Sequence, residues 1–350
     1  MDAIPSPMEA LLVEQLPEGE GWQYEPKWDG FRALAGRDGD EVSLISRSGK
    51  SLGRYFPEIV AMMRAVQEHQ FLLDGELVIA VGQALSFGAL QARLHPAASR
   101  IERLARETPA CLILFDCLNI GGHDFSARPL AERRTALEAF MKSLDVQGLL
   151  LSPASEDPVQ ARRWLARAGG ALDGIVAKRT DLPYRNGQRA MLKIKQYRTA
   201  DCVVGGFRTT AGGKAVASLL LGLYGEDGRL DHVGFTSAFP VHERVALARK
   251  LAPYAGGQGF TGNAPGGPSR WNGGKAKPWT PLRPELVVEV GYDQVTDDRF
   301  RHGTRFLRWR PDKDPISCDR SQLIRELRPA DLAALTGRDA AEHRADATRP

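Results

Sequence analysis

The pattern of apolar residues changes near residue 200, and this change restricts the fold more than any other feature of the chain. Upstream, strand-like apolar runs alternate with segments of helical spacing, such as residues 57–66. Downstream, short β-rich runs follow one another at 202–207, 218–224, 232–236 and 285–292. One helix is predicted among them at 241–251. Several short strands with one inserted helix are typical of a small Greek-key barrel of the OB type.

The sequence therefore predicts an α+β chain of two domains. Residues 1–198 are expected to form a domain of helices and mostly antiparallel sheets, and residues 199–335 are expected to form the OB-fold β-barrel. Residues 336–350 are polar and are predicted to be a disordered tail. A chain of 350 residues is long enough for two domains with sizeable cores.

Composition favours a soluble globular protein over a membrane protein or a disulfide-rich one. Hydrophobic residues make up 43% of the chain and charged residues 26%, and no apolar run approaches the length that spans a bilayer. Residues 1–12 lack the basic segment that begins a signal peptide. The cysteines, at 111, 117, 202 and 318, are scattered and fit reduced thiols in a cytoplasm.

Positive charge is unevenly distributed, although the net charge is only +4. Six basic residues fall within a short stretch, opposed only by Asp312: Arg299, Arg301, Arg305, Arg308, Arg310 and Lys313. Aromatic residues are interleaved with them at 300, 306 and 309, and this alternation predicts a strand with one buried face. A basic cluster of this kind indicates a partner rich in phosphate, either a polyphosphate or a nucleic acid.

Lys27, in the stretch 25–32, is the candidate nucleophile. A lysine followed by x-Asp-Gly occurs by chance in roughly one chain in ten of this length, and alone it would be a solvated surface turn. An ordinary lysine has a pKa of about 10.4, so its neutral amine costs about 4.6 kcal/mol to populate at pH 7. Nearby cations lower that cost. The sequence offers these candidates: Arg32, Arg47, Lys178, Lys193 and Lys195.

Short motifs follow Lys27 in a fixed order. They are, with the first included, Lys27-Trp28-Asp29-Gly30, Ser46-Arg47-Ser48-Gly49, Asp74-Gly75-Glu76, Phe115-Asp116, Asp173-Gly174-Ile175-Val176-Ala177-Lys178, Lys193-Ile194-Lys195 and Arg310-Pro311-Asp312-Lys313. In order and spacing they resemble the covalent nucleotidyltransferase superfamily, and most closely the ATP-dependent DNA ligases. Within that family the chain is most similar to small bacterial ligases of the LigC kind and to the ligase module of LigD. The resemblance covers roughly residues 20–320.

The resemblance implies a role for each matching residue. In such ligases Lys27 would carry AMP, Glu25 would bind the adenine amino group and Phe115 would stack on the base. Glu76 would bind the ribose or a magnesium ion, and Asp173 would be the second metal ligand. Further nucleotide contacts would come from Arg32, Arg47, Lys178, Arg189, Lys193 and Lys195. Arg310, Asp312 and Lys313 would orient the pyrophosphate.

Several of these residues also have simpler interpretations. Asp74-Gly75 between two apolar runs is also a hairpin-turn signal. Lys193 and Lys195 lie two apart on a predicted strand, so they share a side, as residues of a solvated face also do. Asp173 departs from the family pattern, which usually has Glu; aspartate is a hard oxygen ligand but one methylene shorter.

The activity that the resemblance implies is ATP-dependent sealing of nicked double-stranded DNA, with Mg²⁺ or Mn²⁺. A monomer at the bacterial nucleoid, with Ku or a repair polymerase as a partner and no membrane, is expected. The loop 256–274, with Trp271, Lys275 and Lys277, is either a DNA contact or a flexible connection. An RNA ligase or an mRNA-capping guanylyltransferase shares the lysyl-nucleotide step and stays open. A non-catalytic OB-type nucleic-acid-binding protein is the alternative from another class.

Overall fold

The chain divides into two compact units between Gln196 and Tyr197, two residues before the predicted domain boundary. The computed structural model describes residues 4–81, 84–144, 146–166, 172–210, 212–213, 215–237, 239–266, 278–296 and 298–323. The predicted tail at 336–350 and the predicted loop contacts at 271, 275 and 277 lie outside the described residues.

The first unit mixes helices with strands, as predicted. Its strands are β1 (Glu9–Val13), β2 (Trp22–Trp28), β3 (Phe31–Asp38), β4 (Glu41–Ser46), β5 (Gln70–Val81), β6 (Ala84–Leu85), β7 (Ala110–Ile120), β8 (His123–Asp124), β9 (Leu149–Leu151), β10 (Leu172–Arg179) and β11 (Arg189–Ile194). Its α-helices are α1 (Pro57–Ala65), α2 (Phe87–Arg93), α3 (Ala98–Glu107), α4 (Leu130–Lys142) and α5 (Pro158–Ala166). Short 3₁₀ turns such as Gly53–Tyr55 connect them.

Two sheets organise this unit. One has the strand order β1-β11-β10-β2, and the other has β4-β3-β5-β7-β8 with β6 on β5 and β9 on β7. Pairing is antiparallel, as predicted, except where β1 meets β11 and where β9 meets β7. The sheets place the ends of β2 and β10 beside each other, and these strands carry Lys27 and Asp173.

Asp74 and Gly75 lie in the middle of the long strand β5, so the hairpin-turn interpretation is wrong. Asp74 pairs with Leu34 on one side and with Asp116 on the other. A Cβ atom at Gly75 would lie 2.6 Å from the carbonyl oxygen of Ile113. The glycine is therefore required by the close approach of β7 and not by a turn.

The second unit is built mainly of strands. They are β12 (Arg198–Thr209), β13 (Val216–Tyr224), β14 (Leu230–Thr236), β15 (Thr280–Pro281), β16 (Val287–Tyr292), β17 (Val295–Thr296), β18 (Arg299–Phe300) and β19 (Arg305–Trp309), with one α-helix, α6 (Glu243–Leu251), described between β14 and β15. The main sheet has the order β14-β13-β12-β16-β19 with β15 on β12, all antiparallel. Phe300, Phe306 and Trp309 pack on its apolar core, as the basic and aromatic alternation predicted, although 301–303 interrupt the strand.

In the part of the chain that the structure describes, every helix is too short or too polar to cross a lipid bilayer.

Candidate active site

A cleft of about 1010 Å³ opens on the surface of the first unit. The residues that line it come from distant parts of the chain and include Glu9, Glu25, Lys27, Arg32, Arg47, Glu76, Phe115, Lys178, Arg189 and Lys193. The fold therefore brings most of the predicted nucleotide-binding residues to one cavity. A large, open cleft with several titratable groups is the usual form of a small-molecule site.

Lys27 lies near the end of β2 and is held by Asp173. Its Nζ atom is 2.6 Å from one oxygen of Asp173, and the other oxygen of that carboxylate is 2.9 Å from Nζ of Lys195. The side chain of Lys27 is a quarter exposed, whereas Asp173 is nearly buried. One carboxylate therefore fixes two amines of different motifs: Lys27, which lines the cleft, and Lys195, which like Asp173 lies outside its lining.

Two glycines make this arrangement sterically feasible. A Cβ atom at Gly30 would lie 2.1 Å from the carbonyl oxygen of Leu77, so the turn after Lys27 can pack on β5 beside Glu76 only as glycine. Gly174 has a φ of +126°, and a Cβ there would lie 2.1 Å from the carbonyl oxygen of Ile194. This close crossing brings Asp173 to Lys195 and explains the glycine of the Asp173-Gly174 motif.

Glu76 lies on β5 at the edge of the cleft, close to Lys27. Burial raises the pKa of this carboxyl to about 7. The positive charges of Lys27 and Arg32 act in the opposite direction, and the nearby acids Asp29 and Asp74 add to the rise. Burial therefore outweighs the two neighbouring cations at Glu76.

Lys193 supplies a further cation on the wall of the cleft. Partial burial lowers the pKa of this amine, and the neighbouring charges of Lys27, Lys195 and Arg47 lower it further. The predicted convergence of cations from distant motifs is thus present around Lys193. Mutual repulsion of this kind favours an anionic ligand such as a polyphosphate.

The inner end of the cleft contains a buried ion pair between Glu25 and Lys178, at 2.8 Å. Gln23 donates a hydrogen bond of 2.7 Å to the second oxygen of Glu25. The ring of Phe115 has the Lys178 ammonium 4.8 Å and the Arg32 guanidinium 5.0 Å from its centroid. Phe115 is only 8% exposed, so little of its ring is accessible for the predicted stacking on adenine.

Arg32 belongs to a buried polar network beside the cleft. It donates two hydrogen bonds, of 2.9 and 2.6 Å, to Asp74, which is fully buried. The hydroxyl of Tyr184 donates to the same carboxylate at 2.5 Å and accepts from the backbone N–H of Met8 at 3.0 Å. The structure therefore gives Arg32 a structural ion pair in addition to its place on the cleft wall.

Arg47 and Arg189 meet at the mouth of the cleft through Glu9. Arg47 contacts a Glu9 oxygen at 2.7 Å, and Arg189 lies 3.7 Å from the other oxygen. The two arginines lower the pKa of Glu9, Arg47 most strongly. Sequence analysis did not identify Glu9, because a lone acid in a short, half-exposed strand carries no recognisable signal.

Arg310, Asp312 and Lys313 lie together in the second unit, next to a fourth residue that was not predicted. Arg310 contacts Asp312 at 2.9 Å and Asp201 at 3.0 Å, and Lys313 lies 3.6 Å from Asp201. The hydrogen bond from Arg310 is the main cause of an Asp312 pKa lowered to about 2. The last motif is therefore a cross-linked charge cluster.

The carboxylates fit a divalent cation that arrives with a phosphate ligand. No cluster of three or more His, Cys, Asp or Glu side chains suited to a metal occurs among the described residues. Magnesium, however, is commonly held by one or two carboxylates together with substrate phosphates and water. Glu76, a carboxyl group that lines the cleft, fits such an ion. Both oxygens of Asp173 are occupied by lysines.

Two family models match the chain, one over most of the first unit and one over much of the second. A family model described as ATP dependent DNA ligase domain matches residues 7–195, and one described as ATP dependent DNA ligase C terminal region matches residues 212–313. The cleft and these two matches define a class: nucleotide-dependent, nucleic-acid-joining enzymes with a catalytic and a C-terminal region.

Curated proteins that are similar to this chain include DNA ligases. DNA ligase C of Mycobacterium tuberculosis is 46% identical over 341 residues, which cover 92% of this chain and 94% of that protein. The multifunctional non-homologous end joining DNA repair protein LigD of the same species is 30% identical over 87% of this chain, although the match spans only 37% of LigD. The chain belongs to the ATP-dependent DNA ligase family. Its fold resembles that of a solved Lig E DNA ligase, with a TM-score of 0.55, 17% identity and coverage of 87% of this chain and 99% of the other.

Proposed function

We propose that the chain seals nicks in double-stranded DNA through a lysyl-AMP intermediate on Lys27. The observation that carries this proposal is the placement of Lys27 in the cleft, oriented by Asp173 and surrounded by cations from other motifs. Together with membership in the ligase family, this placement favours Lys27 over the other lysines as the nucleophile.

In the first step the Lys27 amine attacks the α-phosphorus of ATP. A phosphorus–nitrogen bond forms, the bond between the α-phosphorus and its bridging oxygen breaks, and pyrophosphate leaves. Asp173 is within hydrogen-bond reach of the amine and is placed to take its proton. The AMP then passes to the 5′-phosphate of a nick, and the 3′-hydroxyl displaces it. Catalysis depends mainly on positioning and charge neutralisation.

Different residues in and beside the cleft bind the base and the phosphates of the nucleotide. Glu25, Lys178 and Phe115 form the end that binds adenine. The Glu25 carboxylate, paired with Lys178, can accept a hydrogen bond from the adenine amino group, and the Phe115 ring lies beside this pair. Lys193, Lys195 and Arg47 neutralise the phosphates, with Arg189 at the mouth. A magnesium or manganese ion would be held by Glu76, with Asp173 as a second ligand once it leaves the lysines. When bound, the ion withdraws negative charge from the phosphates.

The second unit supplies Arg310, Asp312 and Lys313 for the pyrophosphate. We propose that its antiparallel sheet is the OB barrel expected from the sequence. A charge cluster on a rigid sheet is well suited to orient a leaving pyrophosphate. Its role ends with the first step.

The biological setting is DNA repair in the bacterial nucleoid. The name of the LigD relative refers to non-homologous end joining and DNA repair, and this likeness supports end joining with Ku or a repair polymerase as the partner. Monomeric action fits a cleft whose lining residues all come from one unit of the chain and include one candidate nucleophile, Lys27. Phosphate contacts to the DNA predict a strong dependence of nick binding on salt.

The test uses radiolabelled ATP and GTP with magnesium or manganese, followed by nicked duplexes with DNA or RNA strands. ATP should label the protein and the DNA nick should be sealed. Labelling by GTP in place of ATP would favour the capping guanylyltransferase, and sealing of RNA alone would favour the RNA ligase. Absence of labelling under all conditions would favour the non-catalytic nucleic-acid-binding protein.

A further inference from the structure

Asp201 contacts both cations of the last motif in the second unit. One Nη1 atom of Arg310 lies 3.0 and 3.1 Å from the two oxygens of Asp201. Nζ of Lys313 lies 3.6 Å from one of these oxygens. Asp201 is far from the motif in sequence, but its carboxylate contacts both basic side chains of the motif, Arg310 and Lys313.

The backbone of Asp201 is fixed from two sides. It lies in β12, where it pairs with Glu289 of β16. The side chain of Gln322 accepts a hydrogen bond of 3.0 Å from the Asp201 N–H and donates one of 3.2 Å to its carbonyl oxygen. Asp201 is only 9% exposed. A carboxylate on such a support has little freedom to move, so it can define where its partners lie.

The two cations differ in how much of their hydrogen-bonding capacity is already used. Arg310 directs Nη1 to Asp201, and it directs Nε and Nη2 to Asp312 at 3.0 and 2.9 Å. All three nitrogens of that guanidinium therefore donate to a carboxylate. Lys313 has a side chain that is 34% exposed, lies 3.6 Å from Asp201 and also acts electrostatically on Asp319. An ammonium has three donors, so Lys313 can bind a phosphate oxygen while it contacts Asp201.

We infer that Asp201 is a positioning residue for the first chemical step: it anchors Arg310 as a scaffold and holds the flexible Lys313 where its ammonium meets the pyrophosphate. This inference rests on the proposed function, because it assumes that Lys313 acts on pyrophosphate. The lysine stem has four rotatable carbons, so without the carboxylate the ammonium would sample many positions. Loss of the positioning would affect the formation and the reversal of lysyl-AMP but not the joining of an adenylylated nick.

The experiment compares full-length wild type with Asp201→Asn, which keeps size and one hydrogen-bond acceptor but removes the charge. Three rates are measured: self-adenylylation by ATP, transfer of AMP from the isolated lysyl-AMP enzyme to pyrophosphate, which re-forms ATP, and joining of a pre-adenylylated nick without ATP. The first two should fall by about tenfold or more, and the third should change by less than about twofold. Asp201→Glu should recover part of the first two rates.

Asp231→Asn is the matched control for a purely structural effect. Asp231 lies in the same unit, is also 9% exposed and forms an ion pair with Arg320. Its replacement should lower the melting temperature and leave the ratio of the three rates unchanged. If Asp201→Asn lowers all three rates together, or none, the inference is overturned.

Lys313→Ala separates this inference from the proposed function. It should slow self-adenylylation and spare the joining of the pre-adenylylated nick. If Lys313→Ala slows self-adenylylation while Asp201→Asn has no effect, the positioning role of Asp201 is overturned and the proposed function stands. If Lys313→Ala leaves self-adenylylation intact, the proposed role of the last motif fails as well.

Discussion

Nζ of Lys27 lies 2.6 Å from an oxygen of Asp173, and this contact places the candidate nucleophile beside a candidate proton acceptor. The same carboxylate also holds Lys195. Asp173→Asn keeps the shape of the side chain and removes its charge. Because a hydrogen bond to a charged group contributes about 1.5–3 kcal/mol, self-adenylylation should slow by about 10- to 100-fold. Single-turnover labelling with ATP measures the rate.

Asp173→Glu serves as the control, because glutamate is the usual residue at this place in the family pattern. It should keep most of the wild-type rate. Labelling of Asp173→Asn that is faster than wild type would show that the ion pair restrains Lys27 and does not prepare it.

Glu9→Gln should lower the KM for ATP. Glu9 occupies Arg47 and Arg189 at the mouth of the cleft, where the triphosphate is proposed to bind. Removing the competing carboxylate frees both arginines, and exposed pairs of this kind are worth up to about 1 kcal/mol, so the change should be at most about fivefold. Steady-state kinetics of sealing with varied ATP measures the KM.

Glu107→Gln, which breaks an exposed pair with Arg103, should leave the KM unchanged. A higher KM for Glu9→Gln would mean that Glu9 positions the arginines.

Sequence patterns predicted the elements with strong apolar periodicity and missed the polar ones. The helices α1 and α6 and the strands β13 and β14 were predicted to within two residues at each end, because their apolar residues repeat regularly. Strand β1 was not predicted, since its residues are half-exposed and its pairing with the distant β11 leaves no local pattern. Helix α3 was not predicted either, since it buries only Ile101 and its apolar face is narrow.

The part of the site that could be predicted consists of residues that belong to the ordered motifs. The match to ordered motifs identified Lys27, Glu76 and Lys193, which the fold brings to one cleft. Asp201 carried a weaker signal: an acid directly before a continuous apolar run should be buried and therefore paired. Its partner could not be inferred, because the pairing of β12 with β16 depends on tertiary structure.

Tyr184→Phe should lower the free energy of unfolding by about 1.5–3 kcal/mol, since its hydroxyl donates to the buried Asp74 carboxylate and accepts from the Met8 N–H. Urea unfolding of the full chain, followed by circular dichroism, measures the change. Tyr197→Phe is the matched control: this tyrosine is 50% exposed, so the effect should stay within about 0.5 kcal/mol. Equal stability of Tyr184→Phe and wild type would contradict the buried network.

His232 should make the second unit sensitive to acid. The pKa of this imidazole is lowered from 6.5 to about 3, mainly by burial and in part by the charges of Arg299 and Arg208. Between pH 6.5 and about 3 the unfolded chain therefore binds a proton on this histidine that the folded chain does not. The stability that the neutral, buried imidazole contributes is complete above pH 6.5 and is lost as the pH falls toward 3. The loss between pH 7.5 and 5 should be about 2 kcal/mol.

Urea unfolding at these two pH values tests this dependence. His232→Gln should lose about 2 kcal/mol less than wild type between them. His123→Gln, at an exposed histidine of the first unit, should follow the wild type. Identical pH dependence of wild type and His232→Gln would mean that the imidazole is charged in the folded protein.

Lys27 is tested most directly by the mass of the intact protein after incubation with ATP and magnesium. Wild type should gain the mass of one AMP, the adduct should map to the peptide containing residue 27, and addition of pyrophosphate should remove it. Lys27→Ala should gain nothing and should fail to seal a nick, whereas Lys193→Ala should still show some adduct at residue 27. An AMP adduct on Lys27→Ala equal to that on the wild type would contradict the assignment of Lys27 as the nucleophile.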